Sequence, residues 1–424
     1  MRVLLDISVL GLGHAFKELR GGTFRVHERL AEGLARSGEC ELLFCANYSS
    51  AAFAGCVEYL RSSRALGGLP LLGPPAASGG RLGRLTRAVH RPLRRLFPGG
   101  ALPALLREGA RLVDSRLHAQ VRDASPPVDV LHSPGARLPP PVAAGRSPQR
   151  LLNIYDLAPM RLPALYGARQ RHLAEARIAG LCGGDWVITT SESTRDDLAE
   201  LAGVDPERVF VIPLAADRRT FHPGANPARV EELRRRLGIG AGPYLLVVGG
   251  PDVRKNVAAA VRAFTRTVRE GGARDLSLVV AGSLLPGHGL REALGEAVRC
   301  DARVILAGFV PDEDLAALYG GALAFVYPSL YEGFGLPPLE AMQCGVPVIV
   351  ARNSSLPEVV GDAGILVELD DPDALPGAML RVFRDAALRD RLRALSLERA
   401  ARFSWERFTR ETLAAYRAIT AGRS

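Results

Sequence analysis

Two glutamates, Glu332 and Glu340, stand eight positions apart in YEGFGLPPLEAM (331–342), with Gly-Phe-Gly and a double proline between them. On one continuous helix that spacing would put both carboxylates on one face, about two turns apart. The intervening residues forbid it. Gly333 and Gly335 favour a tight, irregular backbone, and Pro337 and Pro338 suit the first turn of a helix, where a missing N–H costs nothing. Glu332 is therefore expected on a loop and Glu340 inside the helix that follows. LAFVYPS (323–329) reads as a short strand before the turn, and LEAMQCG as a helix closing at Gly345. A strand, a glycine turn and a helix N-terminus make a natural anion site, here with a carboxylate on each side.

Other strand-end loops offer complementary chemistry. GGPDVRKN follows the strand PYLLVVGG and places Arg254 and Lys255 at the entry to the next helix. Two cations there suit a phosphate, each charge-assisted hydrogen bond contributing roughly 1.5–3 kcal/mol. A merely solvated pair is the plain alternative, but Lys255 stands out because the only other lysine is Lys17. In LRGGTFRVHERL, Gly21, Gly22 and Thr23 are read between the first strand and the first helix, in a turn facing the same cleft. His132 ends the strand VDVLHSP and is a candidate contact on the acceptor side, with a structural role as the competing reading. The acidic run ELDDPD (368–373) contains Pro372 and reads as a solvated turn rather than a metal site. SESTRDDL, with Ser193 three residues before Asp196, reads as a helix start. Trp405 is read as an anchor for the final helix.

These loops need a scaffold, and the chain supplies one. Its 424 residues, 47% hydrophobic and 23% charged, have an ordinary globular composition long enough for two domains. Short apolar runs alternate with longer helical patterns: RVLLDIS, ELLFCAN, VDVLHSP, RLLNIYD and DWVITTS in the first half, then PYLLVVGG, LSLVVAG, RVILAGF, ALAFVYPS, VPVIVAR and GILVELD. The pattern predicts an α/β fold of two open parallel sheets whose ligands sit beyond the carboxyl ends of the strands. A proline-punctuated seam, FVIPLAADRRTFHPGANP (210–227), separates them, and 66–80 read as a low-complexity loop. Net charge +9 suits an acidic small molecule, an anionic membrane or nucleic acid without choosing among them. Six scattered cysteines without metal-ligand spacing fit a reduced, cytoplasmic protein. No apolar run reaches the ~20 residues of a membrane span, and Asp6 interrupts the first one.

GGPDVRKN, AGFVPDEDLAALY, YPSLYEGFGLPPLEAMQCGVPVIV, SSLPEVVGDAGILVELDDPDAL and FSWERFTRETLAAYR resemble retaining glycosyltransferases of family 4, which have the GT-B fold. VLHSP, IYDLAP, TTSESTRDDL and VIPLAAD extend the resemblance through the first half. It implies two Rossmann-like domains facing across a cleft: 1–217 on the acceptor side, joined by a returning C-terminal helix in 404–424, and 218–403 holding a nucleoside-diphosphate sugar as co-substrate. Carried over by motif, Glu332 contacts the donor sugar near its reacting face, and Glu340 accepts hydrogen bonds from the ribose. The amides of Gly333, Phe334, Gly335 and Leu336 approach sugar and diphosphate. Arg254 and Lys255 form the diphosphate clamp and, with Glu332, are the catalytic candidates; the Val310 backbone reads the base, and Gly22 is a donor-side contact. No metal or other cofactor is implied, because the clamp and helix dipole neutralise the leaving group. Where many relatives carry His-Asp, this chain has Tyr155-Asp156. A phenol with a reference pKa near 10 does not inherit an imidazole's role, so both remain candidates for the sugar and acceptor side.

The implied reaction is transfer of a sugar, with retained configuration, to a hydroxyl of a glycan or lipid-linked acceptor, as in cell-surface polysaccharide synthesis. A glycosidase using the two glutamates fits less well, because a neutral glycoside has no use for an anion-binding turn. A nucleotide-sugar epimerase and a non-catalytic nucleotide-sugar-binding protein remain the alternatives. No nucleic-acid module is recognisable. RLGRLTRAVHRPLRRLF (81–97) places leucines at helical spacing among six arginines and is the one segment that suits peripheral contact with the inner membrane face. Packing of the same stripe on the first domain, with Pro92 interrupting the helix, is the competing reading.

Overall fold

The computed structural model describes residues 1–16, 21–46, 50–72, 127–135, 138, 148–250, 252–282 and 301–421. The segment 81–97 and the remainder of the low-complexity loop from 73 onward lie outside them.

Among the described residues, twelve strands form two six-stranded sheets in which every registered pair is parallel. The first sheet contains β1 (Arg2–Asp6), β2 (Glu41–Cys45), β3 (Val130–Ser133), β4 (Gln149–Ile154), β5 (Trp186–Thr189) and β6 (Val209–Val211), in the order β2-β1-β3-β4-β5-β6. The second contains β7 (Tyr244–Val248), β8 (Ser277–Ala281), β9 (Val304–Gly308), β10 (Ala324–Tyr327), β11 (Val348–Ala351) and β12 (Gly364–Val367), in the order β12-β11-β10-β7-β8-β9. Strands β8, β10 and β11 are buried along their whole length. Such continuous apolar runs belong to sheets covered by helices on both faces.

Strand order decides which loops meet. In the second sheet β7 pairs with both β8 and β10, so the strand order reverses there and the loops after β7 and β10 part at a crevice. The first is GGPDVRKN and the second carries YEGFG. Residues 77 positions apart are thereby brought together, as the Lys255–Glu332 pair described below records.

The last helix, Trp405–Thr420, returns to the first sheet and lies against helix Gly22–Ser37. A Cβ added at Gly33 would fall 2.1 Å from Thr409 Oγ1, so this packing needs a glycine. Tyr416 of the same helix donates toward His132, and Arg417 pairs with Glu39. Trp405 meets Phe408 edge to face beside the core.

Three local expectations change. A helix, Ser8–Ala15, intervenes between β1 and the Gly21-Gly22 turn, and the second helix begins at Gly22 itself. The helix over SESTRDDL is capped by Ser191, whose Oγ accepts from Thr194 N, two residues earlier than the Ser193–Asp196 spacing suggests. Residues 70–72 are extended rather than looped: Phe44 N donates to Pro70 O and Leu72 N to Phe44 O, prolonging the edge beside β2. Among the described residues no helix is long and apolar enough to cross a membrane, and no cluster of three His, Cys, Asp or Glu side chains can hold a metal ion.

Candidate active site

Glu332 sits on the loop after β10 and is only 6% exposed. An isolated carboxylate so placed would be costly, and four groups answer it. Lys255 Nζ donates to Oε1 at 2.7 Å, Ser329 Oγ at 2.7 Å and Tyr327 OH at 2.8 Å, while Arg254 Nη1 donates to Oε2 at 3.1 Å. Burial works to raise its pKa, but Lys255 and Arg254 hold it below the usual carboxylate range. Lys255 also hydrogen-bonds the Tyr327 hydroxyl and lies 4.9 Å above that ring. Burial opposes the charge on Arg254, yet Glu332, Asp156 and Asp252 raise its pKa, leaving a locked cation. Asp252 holds the other edge of that guanidinium and caps the short turn Val253–Lys255.

Helix Leu336–Gln343 starts immediately beyond, with Pro337 and Pro338 in its first turn. Gly335 precedes it at φ +105°, a left-handed conformation that favours glycine. Ser355 Oγ donates to the carbonyls of Glu332 and Phe334, both at 2.8 Å. Those bonds turn the carbonyls away. Among the described residues, the N–H groups of Gly333, Phe334, Gly335 and Leu336 have no hydrogen-bond acceptor. A run of free donors at a helix N-terminus beside two cations can stabilise an anion. Phe334 itself is buried edge-to-face on Phe403.

The first domain closes on this turn. The Gly333 carbonyl accepts from Thr190 Oγ1 at 2.8 Å, Ser191 Oγ at 2.8 Å and Thr194 Oγ1 at 3.3 Å. A Cβ at Gly333 would lie 1.7 Å from the Tyr155 carbonyl oxygen and 2.7 Å from Asp156 Cβ. Glu358 caps the N-terminus of helix Glu192–Ala202 from the second domain, accepting from Glu192 N at 2.8 Å and Ser193 N at 2.7 Å. Tyr331 OH donates to Asp197 Oδ2 at 2.6 Å.

Glu340 faces the cleft from helix Leu336–Gln343, and burial pushes its pKa up to about 7 despite Arg25 nearby. Val310 is half-buried on the loop between β9 and helix Asp312–Gly321. A Cβ on Gly22 would touch Leu336 Cδ1 at 3.4 Å, so the Gly-Gly turn packs against the start of helix Leu336–Gln343.

The remaining candidates divide. Asp156 is exposed, caps Ala158 N and lies within the field of Arg254. Tyr155 presents its backbone to Gly333, while its ring tilts on His27 and its hydroxyl accepts from Asn153 Nδ2 at 3.4 Å. Burial raises the phenol's pKa. His132 is fully buried, with Nδ1 2.6 Å from Tyr416 OH and Nε2 2.6 Å from Asn153 Oδ1. Burial lowers its pKa to about 4. This histidine fastens the returning helix; both ring nitrogens are occupied within the fold.

Sequence reading passed over Arg25, Thr190, Ser191, Thr194, Tyr331 and Glu358, which act across the domain seam. It also passed over Tyr166, whose phenol has its pKa raised to about 12 by burial and lies in the field of Arg254, Asp252, Asp156 and Glu332. TTSES, a hydroxyl run ending a strand, was the one available signal for the Gly333 contacts.

Two family models match the two halves: "Glycosyl transferase 4-like domain" over 21–215 and "Glycosyl transferases group 1" over 242–385. The chain is 31% identical over 317 residues to the O-antigen chain mannosyltransferase B of Escherichia coli, a match covering 74% of this chain and 81% of that protein. It is 30% identical over 226 residues to the serotype-specific mannosyltransferase WbdA of the same species, covering 52% of this chain but 27% of that longer protein. Among solved structures, sucrose-phosphate synthase from Thermosynechococcus elongatus superposes with a TM-score of 0.65 at 21% identity, covering 99% of both chains. The two facing sheets, the YEGFGLPPLE turn with its cationic partners and these matches together place the chain in the group 1, family 4 glycosyltransferases with the GT-B fold.

Proposed function

We propose that this glycosyltransferase moves a sugar, with mannose the first candidate, from a nucleoside-diphosphate donor to a hydroxyl of a glycan or lipid-linked acceptor, retaining anomeric configuration. The observation that carries the reading is the contact of Glu332 with Lys255 and Arg254 beside a turn of free N–H groups. Lys255 and Arg254 take the diphosphate, and the amides of Gly333 to Leu336 take the charge that develops as it departs. Glu332 faces the sugar as its anomeric carbon gains positive character, and the acceptor hydroxyl attacks from the side the leaving group vacates, passing its proton to the departing diphosphate oxygen. Glu340 receives the ribose hydroxyls, and the Val310 backbone and Gly22 line the base and donor side. Asp156 and Tyr155 border the sugar from the first domain. His132 is left out, because its buried contacts are spent on Tyr416 and Asn153.

Mannose as the sugar and a growing glycan chain as the acceptor are favoured by the names of the relatives, an O-antigen chain mannosyltransferase and a serotype-specific mannosyltransferase. With two cations and a helix N-terminus at the leaving group, we read the reaction as metal-independent, and full activity after chelation is the expected result. The protein would work in the cytoplasm, touching the inner membrane face through 81–97. A thermal-shift screen of GDP-mannose, UDP-glucose and other nucleotide sugars, followed by mass spectrometry of glycosylated acceptors from cell extract, tests the reading. Isomerised donor without acceptor would make the protein an epimerase. Donor binding without turnover on any extract would make it a binding protein.

A further inference from the structure

Arg25 projects from helix Gly22–Ser37 of the first domain toward two carboxylates of the second. Its Nη1 donates to Asp312 Oδ2 at 2.9 Å, and Nη2 lies 3.6 Å from Glu340 Oε1. The start of the same helix touches the donor turn through Gly22 and Leu336. One guanidinium therefore spans the domain seam at the carboxylate proposed to meet the ribose.

Glu340 needs such a partner. It is 5% exposed, and a buried carboxyl without a cation takes up a proton. The groups facing it are Asp312 and Tyr319 from helix Asp312–Gly321, Cys344 from the end of its own helix, Lys255 from the clamp, and Arg25. Asp312 repels its charge, and the ammonium of Lys255 is already directed at Glu332. Arg25 is the strongest of the groups favouring the anion. Ionisation matters because two neighbouring ribose hydroxyls are both donors, and only a carboxylate offers both oxygens purely as acceptors.

On the reading that Glu340 binds the donor ribose, we infer that Arg25 is a positioning residue for the donor: reaching across the cleft, it holds Glu340 as an aimed carboxylate and is itself held by Asp312. The helix after the Gly-Gly turn thus contributes to a donor site otherwise built from the second domain. Arginine suits the task because its planar fork addresses two carboxylates at once, which an ammonium does less well.

The test is isothermal titration of GDP and of UDP into the full chain at pH 6, 7.5 and 9, comparing wild type with Arg25→Gln, Arg25→Lys and Glu340→Gln. Loss of Arg25 raises the pH at which Glu340 ionises. If the shift is about one unit, Kd for the better nucleotide rises about tenfold over wild type at pH 6 and stays within about twofold at pH 9. Phosphate ionisation of the nucleotide cancels in that ratio. Arg25→Lys should recover most of the low-pH affinity, and Glu340→Gln should weaken binding at all three pH values. A ratio for Arg25→Gln that is constant with pH, or no weakening while Glu340→Gln weakens, overturns the role of Arg25 alone. Unchanged affinity in Glu340→Gln overturns the ribose assignment and this inference with it.

Discussion

Gly333→Ala isolates the contact on which domain closure turns. The added methyl would stand 1.7 Å from the Tyr155 carbonyl oxygen, where an ordinary contact begins beyond 3 Å, and 2.7 Å from Asp156 Cβ. Both obstacles belong to the backbone or first side-chain carbon of the opposing domain, so no rotamer change relieves them. The domains must part by more than an ångström, and that parts the Gly333 carbonyl from Thr190, Ser191 and Thr194. Three neutral hydrogen bonds at roughly 0.5–1.5 kcal/mol each amount to about 2–4 kcal/mol against the closed form. If transfer occurs only in the closed form, kcat/KM falls by about one and a half to three decades. Neither sheet is touched, so the thermal midpoint of the mutant without donor should move little. The assay is steady-state transfer with the donor found by screening, paired with small-angle scattering of the donor-bound protein. Wild-type kcat/KM together with an unchanged scattering profile would refute the reasoning.

Further expectations concern the charged groups and the surface. Lys255→Ala should lower kcat/KM by one to three decades, on the order of 1.4–4 kcal/mol, because the clamp serves the leaving group in ground and transition states; unchanged kinetics in a folded mutant would remove it from the site. Glu340→Gln should chiefly raise donor KM and Glu332→Gln chiefly lower kcat, since ribose contacts do not change during reaction while the sugar gains charge; identical patterns would contradict the division. Glu340 has a raised pKa, about 7 in the folded protein, so its favourable contribution is complete below its ordinary carboxylate range and lost as pH rises through 7. Glu340→Gln should therefore melt higher than wild type at pH 8, by at most about 3 kcal/mol, and show no gain at pH 4, as calorimetry at the two pH values would show. Tyr416→Phe should cost about 1 kcal/mol of stability in denaturant melts by freeing buried His132, with transfer kinetics nearly unchanged. Wild type should sediment with anionic but not neutral liposomes at low salt, and an Arg91, Arg94, Arg95 to Ser triple mutant should lose this, at ~1 kcal/mol per arginine.

Much of the scaffold was legible because its signals are local. Each strand is a largely apolar run of three to six residues, as in LSLVVAG or VPVIVAR, and alternation with helices leaves parallel sheets as the natural arrangement. The start of helix Leu336–Gln343 was written in Gly335, Pro337 and Pro338, which bias the backbone whatever lies around them. The placement of Glu332 before that helix and Glu340 within it follows from the same residues. Helix Ser8–Ala15 escaped because SVLGLGHA carries two glycines, each unfavourable in isolation. Both are packing glycines: a Cβ on Gly11 would strike Ala52 O at 2.1 Å and one on Gly13 the Phe24 ring at 2.2 Å.

The sequence by itself determined the elements, the glycine-proline turn between Glu332 and Glu340 and the supply of carboxylates and cations, because backbone preference and apolar period act over a few residues. Tertiary structure alone decided which of those charges meet. Lys255 reaches Glu332 because the strand order opens a crevice between β7 and β10. Arg25 reaches Glu340, and Thr190 reaches Gly333, because two separately folded sheets face each other. His132 went the other way, from a candidate contact to an internal fastening, once the last helix laid Tyr416 against it. Charges and hydroxyls carry no sequence period that names a distant partner; burial strips their water and makes them bond to whatever the packed chain presents.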